Sequence, residues 1–145
     1  MYNKNLIISK LKNKLKEINN QLLIYIACFT GHRAQKLPWN FNEDDIRCIR
    51  MKENLEKIIE KSILRGYFIF LCGMALGFDI ICAETVLKLK EKYPYVKLIG
   101  ALPCKNQYKK WKKEQIDRYK NVLNKLDGIR CIYDEYTPNC MQERN

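Results

Sequence analysis

The chain of 145 residues contains one histidine, six glycines and four prolines, and no two of its cysteines stand at CxxC spacing. One histidine and scattered cysteines offer no paired ligands for zinc. The patterns GxxxxGKS/T and GxSxG are also absent, which argues against a P-loop hydrolase and an α/β-hydrolase. We therefore expect no metal site, no cofactor and no catalytic residue of these classes, and we favour a protein that is not an enzyme.

No apolar run approaches the length of a membrane span, and the lysine-rich N-terminus lacks the apolar stretch and cleavage site of a signal peptide. The seven cysteines are odd in number, and Cys28, Cys72, Cys82 and Cys131 lie inside apolar runs, as expected of reduced thiols. A length of 145 residues with 47% hydrophobic residues is typical of one packed domain. These features favour a cytoplasmic protein without a membrane span.

Acidic residues are few: 16 Asp and Glu stand against 27 Lys and Arg, for a net charge of +11. Residues 1–21 hold five lysines against one glutamate, and residues 105–125 hold eight cationic side chains against two acidic ones. Ten of the eleven net charges therefore lie in two short segments. This asymmetry predicts a polyanionic ligand or partner, and the alternative is a lysine-rich surface that is merely solvated.

Residues 6–22 show the spacing of an amphipathic helix, with lysines between the apolar positions. These positions are Ile7, Leu11, Leu15, Ile18 and Leu22. We interpret residues 1–21 as a basic amphipathic helix used for docking or oligomerisation, ahead of a domain over residues 22–145. The absence of Trp and Phe from its apolar stripe argues against a helix that lies on a membrane.

The rest of the chain alternates short apolar runs with segments of helical periodicity. The predicted strands are 22–29, 67–72, 96–101 and 129–133, and the predicted helices are 43–65, 79–92 and 107–126. Alternating strands and helices predict an α/β fold, a Rossmann-like three-layer sandwich with a mostly parallel sheet and helices on both faces. In such sheets ligands bind beyond the carboxyl ends of the strands.

The loop after the first predicted strand contains Thr30, Gly31, His32 and Arg33. Gly31 permits a sharp turn, and the planar guanidinium of Arg33 suits a phosphate. His32 has no fixed acidic or cysteine partner in the sequence, so we interpret it as a hydrogen-bonding or structural residue and not as a catalytic base.

The loop at residues 73–79, after the second predicted strand, contains two glycines. Gly73 and Gly77 let backbone amides approach a ligand, and the helix that follows adds the positive end of its dipole. We expect a phosphate here, with Asp79 as a cap or loop brace first and a ribose acceptor second. The pattern Gly-x-x-x-Gly by itself is also compatible with a packing turn. We further expect Gly77→Asp to block the phosphate position and leave the fold intact.

The third loop follows the strand at 96–101 and carries Lys105, Tyr108 and Trp111. Lys105 is placed to reach a phosphate. Tyr108 and Trp111 either stack on a base or belong to the buried stripe of the last helix, because their spacing from Tyr119 is helical.

Three blocks in this order and spacing resemble the YpsA-like family of the SLOG (SMF/DprA-LOG) superfamily: residues 29–39, residues 73–79 with Ala83 and Glu84, and residues 102–103 with Gln107 and Trp111. The resemblance covers about residues 22–145. It implies a Rossmann-like fold that binds nucleotides or nucleotide-derived signals. The implied ligand-binding residues are Thr30, Gly31, His32, Arg33, Gly73, Met74, Ala75, Gly77, Asp79, Pro103, Lys105, Gln107 and Trp111.

The leading hypothesis is a binder of an ADP-ribose-like or cyclic nucleotide signal that does not turn its ligand over, and that senses or sequesters an immune signal in antiphage defence or anti-defence. One alternative is a LOG-like nucleoside-monophosphate phosphoribohydrolase, with Glu84 or Asp79 assisting and Arg33 holding the phosphate. Another is DprA-like binding of single-stranded nucleic acid through residues 105–125.

The resemblance also concerns the end of the chain. Relatives continue past the position of Asn145 into another strand and a further glycine-rich turn that helps to build the ligand site. We therefore expect either that ligand affinity is lost or that a second subunit completes the pocket, and we favour a homo-oligomer.

Overall fold

The computed structural model describes residues 9–18, 25–138 and 140. Residues 9–18 are helical and form α1. The elements that follow are β1 (Ile26–Cys28), a 3-10 turn (Ala34–Lys36), α2 (Ile46–Leu64), β2 (Ile69–Cys72), α3 (Phe78–Lys92), β3 (Lys97–Cys104), α4 (Lys113–Leu123) and β4 (Gly128–Tyr133). The parts of the predicted first helix and strand at residues 6–8 and 19–24, with Ile7 and Leu22, lie outside the described residues.

The four strands form one parallel sheet in the order β1-β2-β3-β4. This confirms the predicted α/β, Rossmann-like class. Each connection steps one strand in the same direction, and parallel crossovers are right-handed, so α2, α3 and α4 lie on the same face of the sheet. Contacts of α3 with both α2 and α4 agree with this placement. The three crossover helices therefore form one layer.

The core lies between the sheet and these three helices. Phe70, Leu98 and Leu102 point from the strands into it and are at most 4% exposed. α2 buries apolar residues at spacings of seven and four positions, from Cys48 to Ile63. The helix begins at the N-cap Asp45, whose carboxylate accepts a hydrogen bond from the Arg47 backbone N–H at 2.8 Å, which satisfies one of its free N-terminal donors.

The segment before α4 differs from the sequence expectation. The helix begins at Lys113 and not at residue 107, and residues 105–111 form turns. The rings of Tyr108 and Trp111 still pack on Tyr119 in α4, with centroids 5.4 and 5.3 Å apart. The two rings therefore have a helix-like spacing in the sequence because both pack on Tyr119, although their own segment is not helical.

β3 is longer than expected and ends at Cys104, because its pairing with β4 continues to the contact between Cys104 and Tyr133. Pro103 is thus a fully buried strand residue. None of the helices in the described residues is long and apolar enough to span a membrane.

Candidate functional site

The loops after β1 and β2 are joined edge to edge. Arg33 and Gly77 form an antiparallel bridge, and the Ala34 N–H donates to the Leu76 carbonyl at 3.2 Å. Gly77 has a φ of +117°, and a Cβ at this position would lie 2.4 Å from the Ala34 nitrogen. The close approach of two backbones, together with the positive φ, requires glycine here.

This geometry corrects one expectation. We expected Gly77→Asp to leave the fold intact, but any side chain at position 77 collides with the backbone of residues 32–34. The substitution therefore disturbs the junction of the two loops before it reaches a ligand.

The N-terminus of α3 is covered by the same junction. The Phe78 N–H donates to the His32 carbonyl at 3.3 Å. Asp79 is 6% exposed, and its Oδ2 accepts from the Ala75 N–H at 3.2 Å. Asp79 thus braces the 73–79 loop, which is the first of the two roles that we considered from the sequence.

A glutamine ties the second loop to the third. Met74, at a φ of +58°, turns its carbonyl toward Gln107, whose Nε2 donates to it at 3.1 Å and lies 3.2 Å from the Tyr119 hydroxyl. Asn106 Oδ1 accepts from the Tyr136 N–H at 3.1 Å. The segment after β4 is thereby brought to the same edge as the three loops.

These contacts enclose a cleft of about 650 Å³ at the carboxyl edge of the sheet. Arg33 comes from the first loop, Ala75 and Leu76 from the second, and Gln107 and Trp111 from the third. The volume lies within the range of small-molecule sites. Three loops that are distant in sequence therefore form the walls of one cavity.

Cationic and aromatic side chains share this cleft. The cations on its walls are Arg33, Lys109, Lys110 and Lys112, and within the described part of the chain none of them makes an ion pair. The aromatic residues are Phe41, Trp111 and Tyr136, of which Phe41 is 51% and Tyr136 59% exposed. The cleft thus offers both charge for an anion and flat apolar surface for a ring.

The predicted site residues divide into three groups by position. Arg33, Ala75, Gln107 and Trp111 line the cleft, and Gly77 lines a smaller pocket beside it. The residues away from both sets of walls are Thr30, Gly31, His32, Gly73, Met74, Asp79, Pro103 and Lys105. Of these, Lys105 makes an ion pair with Asp134, and Gly31 packs so closely on Phe78 that an added Cβ would lie 2.2 Å from its ring.

Several residues on the cleft walls were not in the predicted set. They are Gln35, Phe41, Leu76, Asn106, Lys109, Lys110, Lys112, Gln115, Glu135 and Tyr136. The three lysines had a signal in the charge of residues 105–125. No sequence signal pointed to Phe41 and Tyr136. Each reaches the cleft through the path of a loop, and hydrophobic periodicity carries no information about such paths.

The smaller pocket, of about 190 Å³, shares Phe41, Leu76 and Gln115 with the cleft. Arg118 on its wall donates to both oxygens of Glu84, at 2.7 and 2.6 Å, and is also paired with Glu43. Hydrogen bonds to Glu84 raise the pKa of Arg118 further, against the effect of burial. Burial raises the pKa of Glu43, but hydrogen bonds from Arg118 and Lys52 outweigh it and the net pKa is lowered. Arg118 and Glu43 are therefore both charged at neutral pH.

Across residues 9–18, 25–138 and 140, no three His, Cys, Asp or Glu side chains are grouped so that they could hold a metal ion. His32 lies on the exposed loop after β1. The site as described is built from loop backbones, cations and aromatic rings.

The chain is similar to several known bacterial proteins. A UPF0398 protein of Brevibacillus brevis is 33% identical over 72% of this chain and 55% of its own length. The uncharacterized SPbeta prophage-derived protein YoqJ of Bacillus subtilis is 34% identical over 67% of this chain and 64% of its own length, and the UPF0398 protein YpsA of the same organism is 26% identical over 70% and 56%. The chain thus spans a little over half to two thirds of the length of these relatives. Residues 27–145 match the YspA SLOG family, which confirms the resemblance seen in the three sequence blocks: the chain belongs to this family.

Proposed function

We propose that the protein binds a nucleotide-derived small molecule in the cleft at the carboxyl edge of its sheet and does not turn it over. The observation that carries this proposal is the convergence of three strand-following loops on one cavity. This cavity holds exposed aromatic rings together with cations that make no ion pair among the described residues. Phosphates need the first kind of group and nucleobases the second. Membership of the SLOG family supports the same ligand class.

Arg33 and the lysines supply the phosphate-binding part of this proposal. Arg33 presents a planar fork of donors, and Lys109, Lys110 and Lys112 add point charges around the cleft. The fixed position of Arg33 next to the Gly77 bridge gives the guanidinium a rigid base. The first amide of α3 already donates to the His32 carbonyl, so it is not available to a ligand. The N-terminus of α3 therefore contributes only its dipole, from behind the loop.

Trp111 and Phe41 supply the ring-binding part. Trp111 is fixed edge-on against Tyr119, with an interplanar angle of 81°, so its position costs little conformational entropy on binding. Phe41 is more than half exposed on the neighbouring wall. Exposed aromatic surface in a concave site is typical of recognition of a flat ring.

The carboxylates considered for hydrolysis are engaged elsewhere. Glu84 is held by Arg118 through two hydrogen bonds, and Asp79 is buried as a brace for Ala75. A general base needs a free carboxylate within reach of its substrate, and neither residue lines the cleft. These contacts support binding over phosphoribohydrolase activity.

The finer form of the proposal is that the ligand is ADP-ribose-like or a cyclic nucleotide signal, and that the protein senses or sequesters an immune signal. One relative is described as prophage-derived, which supports a role in the contest between phage and host. The cleft of about 650 Å³ with its smaller neighbour accommodates a molecule larger than a mononucleotide.

Isothermal titration calorimetry of the full chain against ADP-ribose, its cyclic isomers and cyclic oligonucleotides tests the proposal. We expect saturable binding of at least one of them, with AMP recovered intact after incubation with the protein. Release of free base from AMP would show that the protein hydrolyses a nucleotide and does not only bind it. No heat with any of these ligands would contradict the proposal.

A further inference from the structure

The two faces of the sheet differ sharply in burial. On the face that meets α2, α3 and α4, Phe70, Cys72 and Leu98 are at most 1% exposed. Their sequence neighbours Ile69, Leu71 and Ile99 point to the opposite face, because side chains alternate along a strand, and they are only half-buried. The sheet therefore has one closed and one open face.

The open face is largely apolar, and it also carries Cys28, Lys97 and Arg130. The pairing registers place Ile26 beside Ile69, and Leu71 beside Ile99. Its further apolar members are Ala101 and Ile132, the latter 45% exposed. Parallel sheets normally carry helices on both faces, and all three crossover helices lie on the other side of this one. An apolar layer is thus needed here.

α1 carries an apolar stripe of matching size that is also exposed. Leu11, Leu15 and Ile18 follow helical spacing and are 57%, 62% and 45% exposed. Ten residues of isolated helix are only marginally stable in water. The chain therefore presents two apolar surfaces, each without a partner among the described residues.

We propose that α1 docks by this stripe onto the open face of its own sheet and forms the second helical layer. Seven residues separate Ile18 from Ile26, and they can span about 23 Å at roughly 3.3 Å per residue. The outer strands of a four-stranded sheet lie about 14 Å apart, and ten helical residues measure about 15 Å. The connection therefore permits α1 to reach the whole face.

The tether favours this chain over a second copy as the source of α1, because a short connection gives an effective concentration in the millimolar range. Electrostatics do not drive the contact: Lys97 and Arg130 are exposed on the open face, and α1 itself carries Lys10, Lys12, Lys14 and Lys16 against Glu17. Burial of apolar surface drives docking, so added salt should strengthen it by screening like charges.

Hydrogen exchange of the α1 amides, followed by mass spectrometry on the full chain, tests this inference. Docked α1 exchanges at least tenfold more slowly than the same sequence as a free peptide. Leu15→Glu removes this protection, whereas the matched control Lys16→Glu, which adds the same carboxylate on the polar side, retains it. An α1 that exchanges as fast as the free peptide in the unsubstituted protein overturns the proposal.

Sedimentation over a hundredfold range of concentration separates the two possible sources of the helix. We expect protection of α1 that does not change with protein concentration, in a species of constant mass. Protection that appears only as a dimer forms, and that Leu15→Glu abolishes together with the dimer, would assign the open face to a second copy and contradict docking within one chain.

Discussion

Arg33 and Gly77 face each other across an antiparallel bridge that joins the loops after β1 and β2. The bridge fixes the base of the Arg33 side chain at the edge of the cleft and at the same time covers the N-terminus of α3. Position 77 therefore affects both the stability of the fold and the geometry of the site.

Replacing Gly77 by alanine should lower the free energy of unfolding by about 1–3 kcal/mol, because the added Cβ meets the backbone of residues 32–34 at a positive φ. Urea denaturation followed by circular dichroism measures this loss. Gly128→Ala is the matched control. Its Cβ would lie 3.2 Å from the end of the Ile99 side chain, which can move, so its cost should be below about 1 kcal/mol. Equal effects of the two substitutions would show that the loop junction is not a tight contact.

Arg118→Met should destabilise the fold by about 1–2 kcal/mol. The substitution removes the cation between Glu43 and Glu84 but keeps most of the side-chain volume. The expected loss of stability lies between the losses typical of exposed and of buried ion pairs, because the Arg118 side chain is 33% exposed. Lys88→Met, which breaks an ion pair with Glu56 at a side chain that is 66% exposed, should change stability by less than about 0.5 kcal/mol. A thermal melt in which both variants behave alike contradicts a structural role for Arg118.

The pKa of Glu43 gives stability a defined dependence on pH. Its pKa in the folded protein is below its ordinary value of 4.5, so its contribution is fully present above that value and is lost as the pH falls through the folded pKa. Glu43→Gln should therefore flatten the decline of stability between pH 5 and about pH 3. Denaturation at a series of pH values checks this, and an unchanged slope would show that Glu43 titrates normally.

Five of the seven cysteines should be protected from thiol reagents in the native state. Cys28 and Cys131 are exposed, whereas Cys48, Cys72, Cys82, Cys104 and Cys140 are buried. Burial raises the pKa of Cys82 far above its ordinary range, which removes the reactive thiolate. Titration with a thiol reagent should give at most two equivalents in the native state, with Cys28 shielded where α1 is docked on the open face, and seven in denaturant. Rapid reaction of a third thiol would indicate that the core opens.

The alternation of strands and helices was predictable because buried parallel strands are continuous apolar runs and their helices keep a 3.6-residue period. The start of α4 was not predictable, since Tyr108 and Trp111 imitate that period while packing from a turn onto Tyr119. The location of all three crossover helices on one face follows from strand order, which periodicity does not contain.

Part of the cleft wall was predictable from the order of strands and loops in the chain. Arg33, Gln107 and Trp111 follow strands directly, and the rule that loops at the carboxyl edge hold ligands placed them at the cleft. The glycines were predicted to contact a phosphate, but Gly77 instead allows the backbones of two loops to approach each other closely. A sequence does not distinguish a glycine that faces a ligand from one that faces another backbone.

Calorimetric titration of ADP-ribose into the unsubstituted protein, Arg33→Ala, Trp111→Ala and the control Tyr95→Ala tests the central claim most directly. Tyr95 is an exposed aromatic residue away from the cleft. We predict saturable binding that both cleft substitutions weaken at least tenfold, about 1.4 kcal/mol, and that the control leaves unchanged. Binding that is insensitive to Arg33 and Trp111, or no binding by the unsubstituted protein of this ligand or of the cyclic nucleotides, would contradict a nucleotide site in this cleft.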